Sequence, residues 1–196
     1  MKTSEAGSVK QMKRVIATGV QDFESLSVNK DFYIDKTDFI SKWWKGRDAV
    51  TLITRPRRFG KTLNMSMLNC FFSDKYGNRG ELFEGLKVWE DAEMREQQGK
   101  WPVIFLSFAG IKGTTYTDTM IQMKKVLTKL FLGFPELYEY EGFHKNEKQA
   151  LDEICEHMSD TDAALSINLL SGLLEKIHGK KVLIFLDEYD TPLQEA

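Results

Sequence analysis

Apolar residues along this chain follow two alternating rhythms. Ala49 to Thr54, Val103 to Phe108 and Lys181 to Leu186 are short β-branched and apolar runs, too brief for helices, and each predicts a buried strand. Between them apolar positions recur at helical spacing. Leu63, Met65, Met67, Leu68 and Phe71 predict a helix after the turn Gly60-Lys61-Thr62. Met120, Met123, Leu127, Leu130 and Phe131 mark one face of a helix from Thr117 to Leu132, ended by a turn near Gly133 and Pro135. A polar helix is expected over Glu147 to His157, and an apolar-faced one over Asp162 to Ile177. Residues 76–99 hold only scattered anchors, Leu82, Phe83 and Trp89, and predict irregular and short helical connections. Strands alternating with helices imply an α/β fold, a mostly parallel sheet flanked by helices, with ligands beyond the carboxyl ends of the strands.

The amino-terminal part reads differently. Residues 1–14 offer little to bury and are expected to form a flexible tail. Residues 15–48 form an aromatic-rich leader, with Phe23, Tyr33, Ile34, Phe39, Ile40, Trp43 and Trp44 available to pack on the core. Asp35 is placed to cap a helix running to about Lys45, with Gly46 at its stop. Residues 49–196 then carry the α/β domain proper.

Composition narrows the class without changing this picture. The chain has 196 residues, 42% hydrophobic and 29% charged, which suits one domain with a buried core. No apolar run reaches the roughly 20 residues that span a bilayer, and Met1 to Arg14 lacks the apolar stretch of a secretory signal, so no membrane association and a cytoplasmic location are expected. A net charge of -2 supplies no basic footprint for nucleic acid. Cys70 and Cys155 are far apart and are expected to be buried or inert thiols rather than a disulfide. His144, His157 and His178 share no metal-binding spacing and read as helix-surface or helix-end residues. The tryptophans read as core.

The candidate chemistry lies at the ends of two predicted strands. In a phosphate-binding loop, backbone N–H groups at the start of a helix face phosphate oxygens, a lysine adds positive charge, and a Ser or Thr hydroxyl binds magnesium. Lys61 and Thr62 fit the last two roles, and the backbone of Arg58, Phe59, Gly60, Lys61, Thr62 and Leu63 would form the cradle. The full G-x-x-x-x-G-K-[ST] pattern needs glycine where this chain has Arg55, and Pro56 removes one N–H, so the loop must differ locally from a glycine-opened cradle. Arg55, Arg57 and Arg58 either contact phosphate, lie on the surface, or pair with Asp187, Glu188 or Asp190. Asp187 ends the apolar run Val182 to Leu186. A carboxylate is costly to bury unpaired, so it should face a cation or a strong donor, and magnesium fits. Glu188 follows directly and is placed to polarise a water for attack on the γ phosphate. The plain alternative is a solvated acidic turn after a strand, which leaves Lys61-Thr62 unexplained.

The segment Arg55-Pro56-Arg57-Arg58-Phe59-Gly60-Lys61-Thr62 resembles the Walker A variant of the bacterial AAA-ATPase-like family. The resemblance extends to Gly19-Val20-Gln21-Asp22-Phe23 and Tyr33-Ile34-Asp35-Lys36-Thr37 upstream and Leu186-Asp187-Glu188-Tyr189-Asp190-Thr191-Pro192-Leu193 downstream, almost the whole chain. It implies a P-loop NTPase-type sheet, incomplete at the C-terminus, with ATP and Mg2+ as ligands, and it makes Arg55 a variation on the cradle. It implies that longer relatives continue with the rest of the ATPase and often a restriction-endonuclease-like nuclease domain. In related ATPases a later strand lies between the first and third strands and carries a sensor residue. A fragment without it is expected to bind ATP better than it hydrolyses it. Homo-oligomers could supply an arginine from a neighbouring subunit. The leading expectation is an ATP- and magnesium-binding ATPase module driving an attached effector domain. A non-catalytic regulatory module and a P-loop kinase are the alternatives.

Overall fold

A computed structural model of the chain describes residues 15–16, 19–54 and 59–191. The order of its helices and strands follows the apolar rhythm in the second half of the chain. Helices α1 (Phe23–Val28), α2 (Asp38–Gly46) and α3 (Lys61–Phe72) come first, then two short 3-10 turns and the short helices α4 (Lys87–Glu90) and α5 (Ala92–Gln97). Strand β1 (Val103–Ser107) leads through α6 (Tyr116–Leu132), α7 (Glu136–Glu139), α8 (Lys145–Asp152) and α9 (Asp160–His178) to β2 (Leu183–Asp187). The strands are parallel and in register, Val103 beside Leu183 through Ser107 beside Asp187. The described residues thus form a mixed helix and strand fold around a two-stranded parallel sheet, consistent with the α/β expectation.

Period-two alternation divides the core between the two faces of this sheet. Val103 and Phe185 face an aromatic cluster with Phe23, Ile40, Met67, Phe71, Phe72 and Phe83. Ile104 and Leu106 face the other cluster, with Leu127 and Phe131 of α6 and Leu170, Leu173 and Leu174 of α9. The helix boundaries have local causes. Thr115 caps α6 by accepting from Asp118 N–H, and Ser159 and Asp162 form a reciprocal capping box at the start of α9. Gly179, at φ 63°, closes α9 in the left-handed conformation that glycine adopts without a Cβ penalty.

Several expectations need correction. The run Ala49 to Thr54 is not a strand. A strand needs a ladder partner for its backbone groups, and none of the described residues pairs with this run as a strand, while Val50 is 88% and Leu52 62% exposed. The edge of β2 away from β1 likewise has no strand partner among the described residues. The polar helix stops at Asp152 instead of His157, because the chain turns there to bury Ile154 and Met158. Asp35 does not cap α2, which begins at Asp38 after Thr37 and stops at left-handed Arg47, one residue past Gly46. Asp35 accepts instead from Thr37 N–H and Lys87 N–H, both at 2.8 Å, and Thr37 Oγ1 accepts from Val88 N–H at 3.1 Å. Leader residues therefore cap α4, a contact between positions about fifty apart that no local pattern encodes. Cys155 is exposed, not buried; Cys70 is buried, and burial pushes its thiol up to about 12. Residues 1–14 and the stretch 55–58 lie outside the described residues.

Candidate functional site

Gly60 and the first residues of α3 form one half of the site. Gly60 sits in the left-handed region at φ 73°, and the helix starts immediately at Lys61. Among the described residues no side chain caps this helix, and no acid lies in its first turn, so its leading N–H groups and the positive end of its dipole have no described side-chain partner. Lys61, Thr62 and Leu63 are each half-buried, whereas Phe59 is 62% exposed. Of the predicted cradle, Arg58 lies outside the described residues, as do Arg55, Pro56 and Arg57.

The other half is the carboxyl end of β2. The two-residue alternation that buries Phe185 also buries Asp187, at 4% exposure. The Thr62 hydroxyl is a neighbour of the Asp187 carboxyl, while Asp187 Oδ2 is buried with no hydrogen-bond partner. Burial pushes this carboxyl above its ordinary value and the Glu188 charge adds to the rise. The Thr62 hydroxyl, the Glu188 backbone and the Lys61 charge pull it down without cancelling the effect. Glu188 follows at φ 53°, an uncommon conformation for a residue with a long side chain. Thr191 N–H donates to the Glu188 carbonyl at 3.1 Å, and Thr191 Oγ1 donates to Glu188 Oε2 at 3.3 Å, so a tight turn holds that geometry. Asp190 belongs to the same turn and is half-buried.

The fold thus brings together Lys61, Thr62, Asp187 and Glu188, which lie about 125 positions apart in sequence, at one end of the sheet. An unpartnered buried carboxylate oxygen and a neighbouring hydroxyl are hard donors of the type a divalent cation takes, although no group of three or more His, Cys, Asp or Glu side chains that could hold a metal ion is gathered among the described residues. Four supporting contacts were not legible in sequence. Ser66 of α3 accepts from Phe23 N–H at 3.0 Å and donates to Asp22 at 3.1 Å, tying the leader to the helix that opens at Gly60. Trp43 Nε1 donates to Thr51 Oγ1 at 3.1 Å, while its ring meets Phe185 edge-on at 5.7 Å, two residues before Asp187. Only the conspicuous cluster of aromatic residues in the leader hinted at such a role.

The arrangement carries a stability cost that can be measured. Asp187→Asn should raise the thermal midpoint at neutral pH, by about 1 kcal/mol of stability, since it removes a buried unpaired charge. The folded chain holds the Asp187 proton more tightly than the unfolded chain. This group therefore favours folding at low pH, and its contribution falls as pH rises from the ordinary carboxylate value through the raised folded one. Asp35 has the opposite sign, because its hydrogen bonds from Thr37 and Lys87 outweigh burial and hold its carboxyl low. Subtracting the variant's melting profile from the wild type's between acid and neutral pH isolates Asp187; a difference that does not fall with pH would contradict this reading.

A family model described as AAA-ATPase-like, predicted AAA-ATPase, matches residues 17–196. The chain is similar to an uncharacterized protein in the vnfD 5' region of Azotobacter chroococcum mcd 1, 25% identical over 185 residues, which cover 92% of this chain. The chain spans only 30% of that protein's length. No solved structure matches the chain.

Proposed function

Since the chain belongs to the AAA-ATPase-like family of predicted AAA-ATPases, we propose that it binds ATP with magnesium between the start of α3 and the end of β2, and hydrolyses it to drive an attached effector domain. The observation that carries this reading is Asp187. It is a nearly inaccessible carboxylate with one oxygen unpartnered, next to a threonine hydroxyl at the mouth of an uncapped helix. Few structural roles justify that arrangement, because each unmet buried polar group costs about 1–3 kcal/mol.

The N–H groups of Lys61, Thr62 and Leu63, with the backbone of Arg58, Phe59 and Gly60, would receive the phosphate oxygens, and the Lys61 ammonium would meet the β and γ phosphates. Thr62 and Asp187 would hold magnesium, which when bound offsets phosphate charge. Glu188 would take a proton from a water as its oxygen attacks the γ phosphorus and ADP departs. The hydrogen bond from Thr191 fixes the orientation of that carboxyl. The absence from the described residues of any helix able to cross a membrane leaves a cytoplasmic setting as part of this proposal.

Equilibrium titration of the purified chain with ATP, with and without magnesium, tests the reading. Saturable binding that tightens with magnesium in the wild type, and loses that dependence in Asp187→Asn, supports it; a folded wild type without saturable binding overturns it. Glu188→Gln should keep ATP binding and slow single-turnover hydrolysis about 100-fold or more. Binding with no hydrolysis in wild type or variant would move the assignment to a non-catalytic regulatory module. Transfer to an added acceptor faster than to water would make it a kinase.

A further inference from the structure

The outer edge of β1 is an unfilled strand position, and we propose that it receives an extended segment of a partner protein bearing acidic side chains, by strand addition. Leu183 N–H donates to the Pro102 carbonyl and Phe108 N–H to the Asp187 carbonyl, each at 3.0 Å. With the register of the two strands, these bonds turn the backbone groups of Pro102, Ile104, Leu106 and Phe108 toward β2. The alternation turns those of Val103, Phe105 and Ser107 to the opposite edge, where no described residue pairs with them.

A third strand begins on that edge and stops. Trp101 N–H donates to the Phe72 carbonyl and the Trp101 carbonyl accepts from Asp74 N–H, both at 2.9 Å, which makes a single parallel bridge between Ser73 and Trp101. The chain then turns into a 3-10 segment, Asp74–Tyr76, and leaves the edge. A cleft of about 310 Å³ lies along the remaining edge, floored by Val103, Phe105 and Ser107 and walled by Val126 and Leu130 of α6. Its row of N–H and C=O groups, which no described residue meets, suits an extended backbone that would satisfy them and seat alternate side chains.

Charge selects the occupant. The cleft lining includes Lys75 and Lys129 and no acidic residue. Lys75 Nζ donates to the Gly133 carbonyl at 2.7 Å and lies 3.9 Å from the Phe134 ring centroid, which holds its ammonium at the rim. Lys129 is exposed and makes no ion pair among the described residues. A second copy of this chain pairing through the same edge would bring four lysines to one seam, so an acidic segment of another protein is the better fit.

Amide hydrogen exchange read residue by residue tests the proposal, with a short synthetic peptide of alternating valine and glutamate as probe. Added peptide should slow exchange at Val103, Phe105 and Ser107 by about tenfold or more while leaving Ile104 and Leu106, already bonded to β2, unchanged. Lys75→Glu with Lys129→Glu should weaken peptide binding about tenfold or more; Lys129→Glu alone, at an exposed position that makes no ion pair among the described residues, should weaken it in the same direction with an unchanged melting midpoint. Unprotected outer-edge amides at saturating peptide would overturn the proposal. Equal protection by a valine–lysine peptide would refute the acidic occupant, and protection that grows with protein concentration alone would assign the edge to a second copy.

Discussion

Lys61→Ala is expected to weaken ATP binding by about 100-fold or more, corresponding to roughly 3 kcal/mol of charge-assisted hydrogen bonding. Lys61 is the first residue of α3, half-buried, and its charge is felt at Asp187. Alanine is the strongest helix former, so the substitution keeps the start of α3 and leaves the unpaired N–H groups in place. The loss therefore reports the missing ammonium and not a damaged cradle. Asp187 should respond as well: without the Lys61 charge its carboxyl rises further, and the low-pH preference of its contribution to folding becomes stronger. Calorimetric titration with ATP and magnesium gives the first effect, and the melting midpoint against pH gives the second. A Lys61→Ala chain that binds ATP like wild type would reject the start of α3 as the phosphate site, even if Asp187 still bound magnesium.

Phe72→Ala should destabilise the fold by about 3–5 kcal/mol, the usual cost of truncating a buried aromatic. Phe72 is 0% exposed. Its ring stacks on Trp44 at 5.0 Å and meets Phe71 and Trp43 edge-on at 5.0 and 5.4 Å, so the change also breaks three ring pairs. For a domain with a net stability of roughly 5–15 kcal/mol, this lowers the melting midpoint by on the order of 10 °C. The effect should reach the site, because Trp43 touches both Thr51, on the approach to the cradle, and Phe185, two residues before Asp187. Thermal unfolding followed by circular dichroism measures the stability, and tryptophan emission measures the loosening of Trp43 and Trp44. A midpoint within a degree or two of wild type would mean that this cluster is not the core of the amino-terminal half.

Much of the architecture was legible because it rests on local causes. The apolar face of α6 needs only helical periodicity, and the start of α9 needs only the Ser159 and Asp162 capping box. The residues of the proposed site stood out for a related reason. Gly60-Lys61-Thr62 and Asp187-Glu188 each occupy a few consecutive residues, and a charged pair after an apolar strand has few inexpensive explanations. Less legible were the ends of elements and the contacts across them. The polar helix was expected to run to His157, but burial of Ile154 and Met158 turns the chain after Asp152. Asp35 has the residue type of a helix cap and does cap a helix, but one that begins at Lys87.

The run Ala49 to Thr54 marks the boundary between the two kinds of information. By itself the sequence determined which segments are apolar, at what period, and which residues carry the charge and hydroxyl groups on which the proposed site rests. Composition and spacing are properties of the chain, and they persist whatever lies nearby. Tertiary structure alone decided whether an apolar run becomes a strand, since backbone hydrogen bonds need a neighbour: Val103 to Ser107 and Leu183 to Asp187 find each other, while Ala49 to Thr54 finds none among the described residues. It alone set Thr62 against Asp187 and left one carboxylate oxygen unmet, because burial and partnership depend on what the rest of the fold brings to that point.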